Sequence, residues 1–170
     1  MKRTLLLVVP LLAVTPNPAP LNPSVLPLQV TGSPYDASFT FTRIRYGSGG
    51  WGRRGGGAWA HDYPDADRNM QLILNEFTSV RASRGESNVF DLEDREFFRY
   101  PIIYMSEPGF WRITEEGARN LREYLLKGGL FIFDDFEADQ WYNFAEQLRR
   151  AMPEYQLIEI DGTHPVFQSF

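Results

Sequence analysis

Residues 100–135 read YPIIYMSEPGFWRITEEGARNLREYLLKGGLFIFDD, and the order of their patterns decides the fold. Residues 100–105 form an almost unbroken apolar run, which suits a central parallel strand covered on both faces. Thr114 is placed to cap a helix, Glu115 and Glu116 fall in its positively polarised first turn, and Ala118, Leu121 and Leu125 line one side. Gly128 is placed to end that helix. Residues 130–133 then make a second short apolar strand, which closes on Asp134 and Asp135. Strand, helix and strand in this order call for a parallel pair, because the crossover must pack back onto the sheet.

Upstream, Phe39, Phe41, Ile44 and Tyr46 alternate with Thr40, Thr42, Arg43 and Arg45, a pattern that suits an edge or half-buried strand. Met70, Ile73, Leu74 and Phe77 follow at i, i+3, i+4 and i+7 on one stripe of a helix that Asp65 or Asp67 is placed to cap. Residues 89–92 read as another short strand. Downstream, Ala138, Trp141, Ala145, Leu148 and Met152 share a face of a third helix, and residues 157–160 read as a last strand. The recurring alternation predicts an α/β domain, a three-layer α/β/α sandwich with a mostly parallel sheet and helices on both faces. Val166, Phe167 and Phe170 are apolar with no later element to cover them, so the domain is expected to be incomplete at its C-terminus.

The chain has 170 residues, 17 basic and 22 acidic side chains, a net charge of −5 and 43% hydrophobic residues, which fits one folded domain. The acidic balance argues against a general nucleic-acid binder, which needs a basic face to displace counterions from phosphates. The absence of cysteine excludes disulfides, a thiolate nucleophile, a cysteine zinc site and a lipoprotein anchor. Lys2 and Arg3 precede an apolar run over residues 5–14 that only Pro10 interrupts. That run is about half of the ~20 residues needed to cross a bilayer. Residues 1–20 are therefore expected to be a secretory signal peptide, with a secreted or periplasmic product and no permanent transmembrane anchor after its removal. Prolines at 16, 18, 20, 23 and 27 mark a linker over residues 21–37, and the folded domain is expected over 38–170.

Gly47, Gly49 and Gly52 match G-x-G-x-x-G after a strand, with Arg43, Arg45, Arg53 and Arg54 nearby. A dinucleotide site needs the third glycine to open a helix, whereas Gly55, Gly56 and Gly57 follow here and Pro64 precedes the first helix, so a glycine-rich loop is expected and no cofactor is implied. Asp62, Asp65 and Asp67 are oxygen donors of the kind hard cations prefer, but they lack the glycine turn and distal glutamate of a calcium loop. Asp134 and Asp135 have the more informative address, the carboxyl end of a strand, where open α/β sheets bind ligands. One of the two is expected to face the crevice and the other to cap a helix beginning near Glu137. His164, held extended by Pro165, could line the same end of the sheet, and Trp59 could stack on a sugar ring. The candidate ligand-binding set is thus Asp134, Asp135, Asp62, His164, Arg43, Arg45 and Trp59.

Residues 39–46, W-A-H-D-Y-P at 59–64, Asp67 with Asn69, residues 100–105, Leu121-Arg122-x-Tyr124-Leu125 with Gly128-Gly129, Asp134-Asp135 and His164-Pro165 together resemble a bacterial family, domain of unknown function 4159. Its members resemble secreted or envelope proteins. The resemblance covers most of residues 38–170 and implies a flavodoxin-like, class I glutamine amidotransferase-like fold; the His-Pro pair is also similar to the trehalose-utilisation relatives of that superfamily. In those amidotransferases the elbow after the corresponding strand carries a nucleophilic cysteine, whereas this chain reads Phe133-Asp134-Asp135-Phe136. A carboxylate is a much poorer nucleophile toward an amide than a thiolate. The resemblance brings no activity with it; the missing nucleophile in a fold with a preformed crevice leads to the expectation of a non-catalytic domain of the bacterial envelope that binds a small molecule or another envelope protein. The alternative is a carboxylate- or metal-dependent hydrolase of a carbohydrate or ester, with Asp134 or Asp135 as base and Asp62 as partner.

Overall fold

The computed structural model describes residues 5–6, 37–47, 57–85 and 87–168. The signal-peptide and linker expectations fall largely outside these residues, and the glycine motif runs out of them after Gly47. The strands are β1 (Leu5–Leu6), β2 (Thr42–Ile44), β3 (Asn88–Phe90), β4 (Ile102–Ser106) and β5 (Leu130–Asp134), and the helices are α1 (Asp65–Phe77), α2 (Glu115–Leu126) and α3 (Trp141–Ala151). Across the sheet the order is β1-β5-β4-β2-β3. Strands β2 to β5 are all parallel, and Leu5–Leu6 pairs antiparallel along the outer edge of β5. The parallel sheet with its helices is consistent with a flavodoxin-like layout.

From β2 the chain crosses to β3 on one side, and from β4 to β5 on the other. Right-handed crossovers running in opposite directions place their helices on opposite faces of a sheet. Side-chain alternation agrees. Ile44, Ile103, Met105, Phe131 and Phe133 turn to one face and join Leu121 and Leu125 of α2 with Phe144 and Leu148 of α3 in the main apolar core. Arg43 and Tyr104 turn to the other face, where Asp67 of α1 meets Arg43. Full burial of a leucine such as Leu121 contributes about 1.5–3 kcal/mol, so the α2–α3 face holds most of the apolar stabilisation.

Local chemistry explains the best-matched helix. The Thr114 hydroxyl accepts the Gly117 N–H at 3.0 Å, closing the first turn of α2. Gly128, at φ 91°, takes the left-handed position just beyond its end.

Several expectations are corrected. Thr42–Ile44 is not an edge strand; it lies between β3 and β4 and is buried throughout, because Asp67 satisfies Arg43 on the otherwise apolar interior. Helix α1 turns most of its apolar stripe outward: Met70, Ile73 and Phe77 are exposed, Phe77 by 82%, and Leu74 is half-buried, while Asp67 and Gln71 are buried. The inward face is polar because it serves β2, Asp67 through the Arg43 side chain and Gln71 through its Oε1, which accepts the Phe41 N–H at 3.1 Å. Neither Asp65 nor Asp67 caps α1, whose N-cap position is Pro64.

Helix α3 begins at Trp141 rather than near Glu137, and no aspartate caps it. Its buried face is Phe144, Gln147, Leu148 and Ala151; Gln147 is inside because its Oε1 accepts the Ile113 N–H at 3.1 Å. Residues 157–160 form no strand, and Ile158 is exposed.

Candidate functional site

In the strand order β5-β4-β2-β3 the direction of winding reverses between β2 and β4, and their carboxyl ends open the crevice in which such sheets bind ligands. Three side chains meet at this end. His61 comes from the segment between β2 and α1, Glu107 directly follows β4, and Asp135 directly follows β5.

The imidazole Nδ1 of His61 lies 2.6 Å from a carboxylate oxygen of Asp135 and 2.8 Å from Oε1 of Glu107. One ligating atom from each of the three residues lies within 4.8 Å of the other two. The second imidazole nitrogen, Nε2, faces Oδ1 of Asp62 at 3.7 Å. Among the described residues, His61 is the basic group that contacts both carboxylates. Arg43 is committed to Asp67, and Arg45 to Asp91 through bonds of 2.9 and 2.6 Å.

The backbone under this cluster is strained. Asp62, Glu107 and Asp135 have φ of 56°, 49° and 59°, the left-handed region that side chains beyond Cβ disfavour by roughly 1 kcal/mol or more. The surrounding bonds hold them there. The Glu107 N–H donates to the Asp134 carbonyl at 2.9 Å, which ties the ends of β4 and β5 side by side. The Tyr46 hydroxyl reaches the carbonyls of Ser106 at 3.1 Å and Glu107 at 2.6 Å, and burial pushes its pKa up, so it stays a donor. The Asp135 N–H donates to Oδ1 of Asp134 at 2.8 Å. Thus Asp134 supports the turn while Asp135 faces His61.

Burial raises the pKa of Glu107; His61 opposes that shift and Asp135 adds to it. Tyr104, whose hydroxyl stands 3.4 Å from Asp134, is pushed up to about 12 by burial and by that carboxylate.

Of the residues singled out in the sequence, Asp135 and Asp62 both touch His61. Asp134 lies against Tyr104, on the α1 side of the sheet. Arg43 is fully buried inside the domain and Arg45 is half exposed in its pair with Asp91. The backbone carbonyl of Trp59 accepts from Arg43 Nη1 at 3.0 Å, and its ring lies 5.7 Å from that of Tyr63. His164 accepts the Val166 N–H through Nδ1 at 3.2 Å and so shapes the short turn Pro165–Gln168. His61 and Glu107 were not singled out. The signal for Glu107 was the same one that marked Asp135, an acid immediately after an apolar parallel strand.

One imidazole nitrogen and two carboxylate oxygens form a donor set for a divalent transition metal, which would favour Zn²⁺ or Mn²⁺ over an all-oxygen ion such as Ca²⁺. Bonds of about 2.1 Å in tetrahedral geometry would set the donors roughly 3.4 Å apart, wider than the 2.6 and 2.8 Å that separate Nδ1 from the two carboxylates. With Nδ1 on the ion, Nε2–H would point toward Asp62, the carboxylate–histidine–metal arrangement that orients a ligating imidazole.

No helix among the described residues is long and apolar enough to cross a membrane. No curated protein matches the chain. A family model, a domain of unknown function (DUF4159), matches residues 40–170, and the chain belongs to that family.

Proposed function

We propose that this is a non-catalytic ligand-binding domain of the bacterial envelope, built on a glutamine-amidotransferase-like scaffold, in which a divalent cation on His61, Glu107 and Asp135 receives the ligand. The observation that carries the reading is the meeting of two carboxylates on a single imidazole nitrogen, at 2.6 and 2.8 Å, at the switch point of a parallel sheet. Two acids held this close repel one another, and a shared cation removes that repulsion. Three protein ligands leave positions for an oxygen-bearing ligand on the open side, where His61 is 46% exposed.

The amidotransferase-like assignment is supported by the elbow after β5, where Asp135 occupies the left-handed turn position; the chain has no cysteine to serve as its nucleophile. The envelope assignment is supported by the basic and apolar leader. Calorimetric titration of the purified protein with Zn²⁺ and Mn²⁺ tests the cation centre. Binding that is lost in H61A and D135N is expected, and wild-type protein that takes up neither ion would overturn the reading.

A second reading, metal-dependent hydrolysis of a carbohydrate or ester, is favoured by the same centre, because three protein ligands leave a position at which an ion could carry a water. Turnover of nitrophenyl esters or glycosides by the metal-loaded protein, abolished in E107Q, would establish it.

A further inference from the structure

Building on the cation-centre reading, we propose that the buried Arg43–Asp67 pair is a positioning device that fixes His61 over the two carboxylates. Arg43 sits at the middle of β2 with no exposed surface, and Asp67 is likewise fully buried. Nε donates to both oxygens of Asp67, at 3.1 and 3.3 Å, and Nη2 bonds the same carboxylate. Nη1 points the other way, to the carbonyls of Trp59 at 3.0 Å and His61 at 3.3 Å. The cation is held over the Tyr104 ring at 4.9 Å and also contacts Phe41 and Tyr63.

A guanidinium is planar. Clamping one edge of it on Asp67 therefore fixes the direction in which Nη1 points. That nitrogen holds carbonyls on both sides of Ala60, and with them the peptide from which the His61 ring projects. Asp67 in turn belongs to the first turn of α1, so β2, α1 and the His61 segment lock together through one side chain.

Stability alone explains this arrangement poorly. Apolar replacement of a buried ion pair is commonly neutral or stabilising, because burial strips both charges of water. The two carbonyl bonds are what an apolar pair could not reproduce. A lysine could meet Asp67 but offers no planar fork to hold both carbonyls as well.

The test uses R43K and the double variant R43M/D67L, which replaces the pair with apolar side chains of similar size. The chain has two histidines, so His164 serves as an internal reference for ¹⁵N shifts of the rings, recorded metal-free at one pH. The expected result is that the His61 ring shifts move away from their wild-type values, His164 stays put, and Mn²⁺ affinity falls at least tenfold. Folded R43M/D67L that keeps the wild-type His61 shifts would overturn the proposal, and it decides the matter if R43K does not fold. Loss of the wild-type His61 shifts together with absent Mn²⁺ binding by wild-type protein would sink the cation reading and leave the positioning role standing. Wild-type binding with unchanged shifts in both variants would do the reverse.

Discussion

Replacing Glu107 with glutamine keeps the shape of the side chain and removes one of the two charges packed against His61. The ligating atoms of Glu107 and Asp135 lie within 4.8 Å of one another. Two unit charges at the widest separation this allows repel by about 3.5 kcal/mol at an effective dielectric constant near 20. The side chains keep 24% and 27% of their surface exposed, so water screens the pair further and about 1–2 kcal/mol remains. The sign follows from linkage. Burial raises the pKa of Glu107 in the folded state, His61 lowers it and Asp135 raises it, for a net upward shift. A raised folded pKa contributes stability that is fully present below the ordinary carboxyl value and is lost as pH rises through the raised one. At pH 8 the wild-type protein therefore carries the whole penalty, and E107Q does not. In chelator, E107Q should melt roughly 2–8 °C above wild type, given about 2–4 °C per kcal/mol for a chain of this size. With a cation at a hundred times its dissociation constant, wild type gains about 2.7 kcal/mol and should overtake the variant, which has lost a ligand. Melting curves with chelator and with Mn²⁺ check both halves. E107Q that melts below wild type in chelator, or equal stabilisation of both proteins by the ion, would refute the reasoning.

Because Phe77 is 82% exposed, F77S should change folding stability by no more than about 0.5 kcal/mol in urea titrations, whereas a core phenylalanine truncated to alanine costs about 3–5 kcal/mol. T114A removes the acceptor of the Gly117 N–H and should cost about 1 kcal/mol in the same titration, with cation binding unchanged. D135G relieves a left-handed aspartate at φ 59° but adds backbone freedom to the unfolded chain. The two effects are each about 1 kcal/mol, so its metal-free stability should stay close to wild type while calorimetry shows cation binding lost.

The α2 half of the fold was legible in the sequence because its signals agreed with one another. A cap at Thr114, a stripe at Ala118, Leu121 and Leu125, and a left-handed stop at Gly128 all describe the same helix, and apolar strands flank it. Helix α1 misled because its most regular apolar spacing lies on the face that the fold leaves exposed. The competing signal was quieter: Asp67 and Gln71 stand four residues apart on one face, and Arg43 sits among strand residues. An arginine inside a central strand needs a buried acid and carbonyls around it, and those partners lie 16 to 24 residues away, beyond any local period. Residues 157–160 misled for a related reason. Their composition suits a strand, but a strand exists only by pairing, and among the described residues these join no strand of the sheet.

The site was half visible. The rule that ligands gather at the carboxyl ends of parallel strands picked out Asp135, and applied evenly it would also have reached Glu107, one residue beyond β4. His61 could not be found that way, since it follows an unpatterned stretch and no strand ends beside it in the sequence. What brings residues 61, 107 and 135 together is topology: β2, β4 and β5 are neighbours in one sheet with their carboxyl ends on the same side. The backbone adds an independent mark. Asp62, Glu107 and Asp135 all adopt left-handed φ although glycine would adopt it more cheaply, and each places a carboxylate against the same imidazole. Strain of this kind persists only where surrounding bonds over-determine it, here through Tyr46, Asp134 and the β4–β5 pairing. Carboxylate-bearing residues at three such turns set their oxygens around one imidazole, which is the arrangement the proposed cation centre requires.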